Sequence, residues 1–316
     1  MSKHTQNTMD FDLSNRQENR IRAMVHKVLV NSGAADGIGT SRAVDKAEHA
    51  GDSHHMSMQT SIHSYGSYHK MENVGRLFAR FCFTGYGIKT LDRITPQMAR
   101  DFVQDLGARG YARNTIDSYA SHVLKFGALI DRAYGCGDRA RTWTKAVNTV
   151  RADVLRDARD PSTASRAYAD PWALVHAIQD PACRVAAELQ LGYGLRVGDA
   201  LKLTELYHTG GIASSKGGQA IKLNLSDSTK QALKQALIDL GDAGRHISRG
   251  EYQNALKEAA TATNQAYTGT HGLRHCYAQA DYKARTEAGM SKAEALRAVA
   301  EDMGHHRADI TLTYLR

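Results

Sequence analysis

Lys216-Gly217-Gly218-Gln219-Ala220-Ile221-Lys222-Leu223-Asn224-Leu225 is where the hydrophobic period of this chain falls to two. Ile221, Leu223 and Leu225 alternate with Lys222 and Asn224, the pattern of a half-buried strand. Gly217-Gly218 reads as a turn, and Ile212-Ala213-Ser214-Ser215-Lys216 supplies the partner strand. Nearly all other apolar positions repeat at helical spacing. The fold class expected is therefore mostly α, with one small antiparallel β-sheet in the second half.

Working outward, helices are expected over residues 229–240, 251–262, 271–285 and 292–301, with a short one at 311–314. Upstream, Asp170-Pro171 and Asp180-Pro181 each read as an N-cap followed by proline, a helix start. Gly192, Gly194 and Gly198 imitate a G-x-G run, but a helix precedes them where a dinucleotide fold needs a strand. No G-x-x-x-x-G-K-[ST] occurs, which argues against a P-loop ATPase.

The first half is helical. Ser14-Asn15-Arg16-Gln17 is a capping-box pattern, followed by Ile21, Met24, Val25, Val28 and Leu29 at helical spacing and Gly33 as a stop. Residues 31–60 are rich in Gly, Ser, Ala, Asp and His and read as a loop with one short helix near 43–49. A four-helix unit follows. Tyr65, Tyr68, Met71, Val74, Phe78 and Phe81 form one stripe. Thr95-Pro96 starts a second helix, with Gly107 and Gly110 ending it. Asn114 or Thr115 caps a third, and a fourth covers 143–155. The organisation expected is residues 1–60 as an N-terminal helix plus flexible segment, 61–157 as a helical domain and 158–316 as a second domain.

Composition narrows the function classes. The chain has 316 residues, 41 Lys+Arg against 33 Asp+Glu, and a formal charge of +8. A basic excess points weakly to a polyanionic partner. With 42% hydrophobic and 23% charged residues, real cores can form, which argues against general disorder. No stretch approaches the roughly 18–20 apolar residues of a membrane span, and the first residues lack an apolar signal core. Cys82, Cys136, Cys183 and Cys276 lie far apart with no C-x-x-C pair, so a reducing cytoplasm is the expected location.

Three signals carry chemistry: Gly194-Leu195-Arg196-Val197-Gly198-Asp199-Ala200-Leu201, His271-Gly272-Leu273-Arg274-His275, and Met303-Gly304-His305-His306, with Tyr314 nine residues after His305. Together they resemble the tyrosine recombinase (phage integrase) family. That family carries an arginine in a G-L-R-x-x-[ED]-L turn, a lysine on a β-hairpin, H-x-L-R-H, a histidine in L-G-H and a nucleophilic tyrosine nine residues on. The resemblance spans residues 60–316, strongest in the second half. It implies a helical core-binding (SAM-like) domain and an α-rich catalytic domain. It also implies a catalytic set of Arg196, Lys216, His271, Arg274, His305 and Tyr314.

The residue types suit phosphodiester cleavage. That reaction needs an activated oxygen, cations around the pentacoordinate phosphate and an acid for the leaving oxygen. Arg196 and Arg274 are permanently charged forks matched to phosphate oxygens. His271 can donate to a nonbridging oxygen or accept the tyrosine proton, His305 can bond the phosphate, and Lys216 can protonate the leaving 5′ oxygen. Lys222 competes with Lys216, and His306 with His305. Asp199 reads as orienting its turn. His271 and His275 sit four apart on a helix, yet no third metal ligand is evident, so no metal or cofactor is expected.

By resemblance, the chain would join and exchange duplexes at specific sites through a 3′-phosphotyrosyl link, integrating or excising a mobile element. Resolution of chromosome or plasmid dimers, a type IB topoisomerase-like activity and non-catalytic DNA binding are the alternatives. The partners implied are double-stranded DNA at recombination sites, a homotetramer on paired sites, and accessory directionality or bending proteins. Arg113, Asn114 and Thr115, at a helix start, are candidate phosphate contacts through side chains and free N–H groups. Protomer contacts are expected either from the helix at residues 14–31 or from elsewhere, if that helix packs on its own domain.

Overall fold

The computed structural model describes residues 13–40, 44, 45, 47, 61–137, 139–160, 164–215, 219–241, 246–305 and 308–316. The chain divides into two compact units, Met1–Ser162 and Thr163–Arg316. Among the described residues the fold is mostly helical, with one two-stranded antiparallel sheet. No helix among them is long and apolar enough to cross a membrane.

The first unit begins with α1, Asn15–Asn31, whose Ser14–Gln17 capping box forms as its sequence predicts. Its inner face, Ile21, Val25, Val28 and Leu29, is fully buried in the same core as α2, Tyr65–Tyr86. Burying each such side chain stabilises by about 1.5–3 kcal/mol. Arg80 Nε donates to Glu18 Oε2 at 2.9 Å and Arg132 Nη1 to Ser32 O at 3.2 Å, adding polar ties. The apolar stripe of α1 is thus spent within its own unit, which removes it as a docking face for a neighbour. The short helix expected near 43–49 lies mostly outside the described residues.

A 3₁₀ turn at Leu91–Arg93 leads to α3, Pro96–Ala108, capped by Thr95. Gly107 does not end α3, contrary to expectation. It lies within the helix, where a Cβ would come 2.7 Å from Val154 Cγ1 on α5, Ala140–Asp157. Close helix packing, not a turn, explains that glycine; Gly110, at φ +70°, makes the stop. The helix α4, Arg113–Tyr134, starts two residues earlier than a cap at Asn114 would place it and three earlier than one at Thr115, with Ala112 as an N-cap lacking a side-chain bond. Trp143 on α5 is buried, and its Nε1 donates to the buried Asp131 on α4 at 2.7 Å.

In the second unit α6, Pro171–His176, and α7, Pro181–Tyr193, begin at Asp170 and Asp180, each bonding a backbone N–H with its carboxylate. Then come α8, Val197–Ala200, and α9, Leu203–Thr209. The strands are shorter than the alternation suggests: β1 is Gly211–Ile212 and β2 is Ile221–Lys222, paired Gly211 to Lys222 and Ile212 to Ile221. The helices α10, Asp227–Leu240, α11, Arg249–Ala262, α12, Gly272–Glu287, and α13, Lys292–Asp302, complete the unit. The last helix, α14, is Ala308–Thr311, so Tyr314 sits on the turn after it and not within a helix at 311–314.

Candidate active site

Arg196 is placed by the sharp exit from α7. Gly194 adopts φ +63°, and a Cβ there would lie 2.4 Å from the Tyr277 ring, so the turn admits only glycine. Below it, Tyr252 Oη donates to Gln190 Oε1 at 2.6 Å, and Gln190 Nε2 donates to Leu195 O at 3.0 Å, all buried. Arg196, the N-cap of α8, then donates from Nη1 to Ser215 Oγ at 3.2 Å and from Nη2 to Gly304 O at 3.1 Å. Ser215 Oγ in turn donates to the buried Asp199 at 2.6 Å. Asp199 therefore orients the arginine through a serine, as a turn-orienting role requires.

Arg274, on the first turn of α12, is almost fully buried. Nη1 donates to Gly194 O, while Nη2 donates to Met303 O at 2.7 Å and to His305 Nε2 at 3.0 Å. Its Nε is buried with no hydrogen-bond partner. A guanidinium carries five N–H donors; here the Nε–H is without a partner, and Tyr314 is a further hydrogen-bonding neighbour. Burial lowers the Arg274 pKa, and the neighbouring Tyr314 opposes that shift.

The histidines are held neutral. His305 is pushed down to about 4, first by burial and then by Arg274 and Arg196. His271, just before α12, is likewise pushed down to about 4 by burial and then by Arg166, Arg274 and Arg249. Its Nδ1 is buried and unpartnered. Because Arg274 can only donate, His305 Nε2 accepts, and Nδ1–H faces Thr311 Oγ1 at 2.8 Å. Both His305 nitrogens are engaged, so in this arrangement it positions Arg274.

The Tyr314 ring lies in a cage. Its centroid is 4.5 Å from that of His275 and 5.4 Å from that of His305, and the Arg274 guanidinium carbon sits 5.6 Å from it. Beside this group a cavity of about 410 Å³ is lined by Arg196, Ser215, Gln219, Gly304 and His305. Arg196, Arg274, His305 and Tyr314 thus converge, with His271 on the approach to the helix that carries Arg274. Lys216 and His306 lie outside the described residues; Lys222 is exposed on β2. No cluster of three metal-ligating side chains occurs among the described residues.

Residues that sequence reasoning missed are Ser215, Thr311 and Gln279. Only Gln279 carried a signal: it follows His275 by four residues and so shares its helix face. In the first unit, Arg113 Nη2 pairs with Asp160 at 3.2 Å, the Arg113 N–H donates to Arg159 O at 2.9 Å, and the Thr115 N–H donates to Ala112 O at 2.8 Å. Two backbone donors expected to be free for phosphate are therefore occupied. The chain matches no family model and no curated protein.

Proposed function

We propose that this protein is a site-specific DNA recombinase of the tyrosine type. The convergence of Arg196, Arg274, His305 and Tyr314, from three separate stretches of sequence, supports the reading most directly. Two buried or half-buried guanidiniums with uncommitted N–H groups suit the charge of a pentacoordinate phosphate. Tyr314 Oη attacks the phosphorus, and the 5′ oxygen leaves with a proton from Lys216. The 3′-phosphotyrosyl bond stores the energy for rejoining when a 5′ hydroxyl attacks in turn. The His271 imidazole, kept neutral by burial and with an unpartnered Nδ1, either donates to a nonbridging oxygen or accepts the tyrosine proton. The chemistry calls on neither ATP nor a metal.

The biological role we assign is integration and excision of a mobile element, with double-stranded DNA as partner, a tetramer assembling on paired sites, and a cytoplasmic location. The test is strand exchange between two duplexes carrying the repeat that flanks the gene, in excess EDTA and without ATP. Recombinant products support the reading. Relaxation of supercoiled plasmid lacking any such repeat would redirect it to a type IB topoisomerase, and DNA binding without any cleavage to a non-catalytic DNA-binding protein.

A further inference from the structure

Gln279 lies on α12, four residues beyond His275. Its Nε2 is 3.1 Å from Tyr314 O, 2.8 Å from Arg316 O and 3.0 Å from Ser165 Oγ. Backbone oxygens only accept, so the amide nitrogen must face them, which fixes the orientation of the side chain. Ser165 Oγ also accepts from the Ala167 N–H at 3.2 Å, tying the amide to the segment that enters the unit. Tyr314 itself follows the four-residue α14, and the two residues after it in the sequence are partly or fully exposed. Within this segment the backbone bonds are local: Thr313 N–H to Ile310 O, Tyr314 N–H to Thr311 O, and Leu315 N–H to Leu312 O. Gln279 supplies a tie from outside on the far side of the tyrosine.

We infer that Gln279 is a positioning residue for the nucleophile, holding the Tyr314 backbone so that its ring stays between His275 and His305 and over Arg274. The inference rests on the recombinase reading above. Gln279 touches no reacting atom; it acts through the Tyr314 and Arg316 carbonyl oxygens. Without it, Tyr314 keeps its ring contacts and its bonds to His275 and Arg274 but loses the tie that Gln279 makes to the Tyr314 and Arg316 oxygens, and orientation of a reacting group within about 1 Å governs rate steeply.

The experiment compares wild type, Gln279→Ala and Gln279→Glu on a nicked suicide duplex, scoring DNA affinity and the rate of covalent adduct at Tyr314. Both variants should bind DNA within about twofold of wild type, since Gln279 is only part-buried and its hydrogen bonds all go to this chain's own atoms. Both should form adduct at least tenfold more slowly at pH 8. The glutamate is the same length but, ionised at pH 8, can only accept and would face two backbone oxygens. Its adduct rate should therefore be no faster than that of the alanine variant, although it fills the same volume as glutamine. Amide exchange over residues 311–316 should be faster in both variants at neutral pH, a readout that needs no DNA. An adduct rate equal to wild type, unchanged exchange, or a glutamate variant markedly faster than the alanine variant would overturn the positioning role. A wild-type protein that forms no adduct at Tyr314 would overturn the recombinase reading, and this inference with it.

Discussion

Nη2 of Arg274 sits 3.0 Å from Nε2 of His305, and the opposite edge of that imidazole sits 2.8 Å from Thr311 Oγ1. The guanidinium can only donate, so this chain fixes one tautomer and one ring orientation. Thr311 is fully buried, so its hydroxyl serves the histidine and not solvent. Thr311→Val keeps the volume and removes that partner. We expect a stability loss of about 1–3 kcal/mol in urea unfolding, the cost of a buried unpaired donor. Adduct formation should also slow about tenfold, as the imidazole loses its fixed orientation. An unchanged rate in a folded variant would assign Thr311 to packing alone.

Acid should unfold the second unit through the histidines. His271 and His305 have folded pKa values near 4, below the unfolded value of about 6.5. The unfolded chain therefore binds more protons in that window, and stability falls as pH drops from about 6.5 toward about 4. Thermal melts across pH 4–8 should show the loss, and His271→Gln should flatten part of it. A melting temperature flat across this range in wild type would contradict the neutral, buried assignment.

The first helix should matter for folding of its own unit. Leu29 is fully buried, and Leu29→Ala should cost about 2–5 kcal/mol. Removing residues 1–31 should expose the faces of α2 and α4 and leave the first unit unstable or insoluble. A truncated protein that melts like wild type would restore α1 as a free docking element.

Much of the fold was legible because its signals are local. Ser14–Gln17, Thr95-Pro96, Asp170-Pro171 and Asp180-Pro181 cap helices through contacts within four residues, and all four form. Where the reading slipped, a distant contact decided the outcome. Gly107 is small because Val154 presses on it, and α4 starts at Arg113 because Ala112 and Arg113 pair with Arg159. The sheet is short although Leu223 and Leu225 continue the alternation: among the described residues β2 pairs with β1 at Gly211–Lys222 and Ile212–Ile221. At the site, the spacing from His305 to Tyr314 was readable, and Gln279 showed only its place four residues after His275, whereas the contacts of Ser215 and Gln279 span long sequence separations that no local pattern encodes.

The general acid is testable by changing the leaving group. Lys216→Ala should slow cleavage of an ordinary phosphodiester by about 10²–10⁴-fold. Sulfur in place of the 5′ bridging oxygen leaves without a proton, so it should restore cleavage to Lys216→Ala and not to Arg196→Ala. Rescue of Lys222→Ala in place of Lys216→Ala would move the acid to the exposed lysine of β2.

The central claim is that Tyr314 is the nucleophile, and trapping tests it most directly. A nicked suicide duplex should leave wild-type protein covalently attached to the 3′ phosphate, with peptide mass spectrometry placing the adduct on Tyr314. Tyr314→Phe, which loses one oxygen and keeps the ring stacked on His275, should bind the same DNA with little change and form no adduct. An adduct that persists in Tyr314→Phe, or maps to another residue in wild type, would contradict the account.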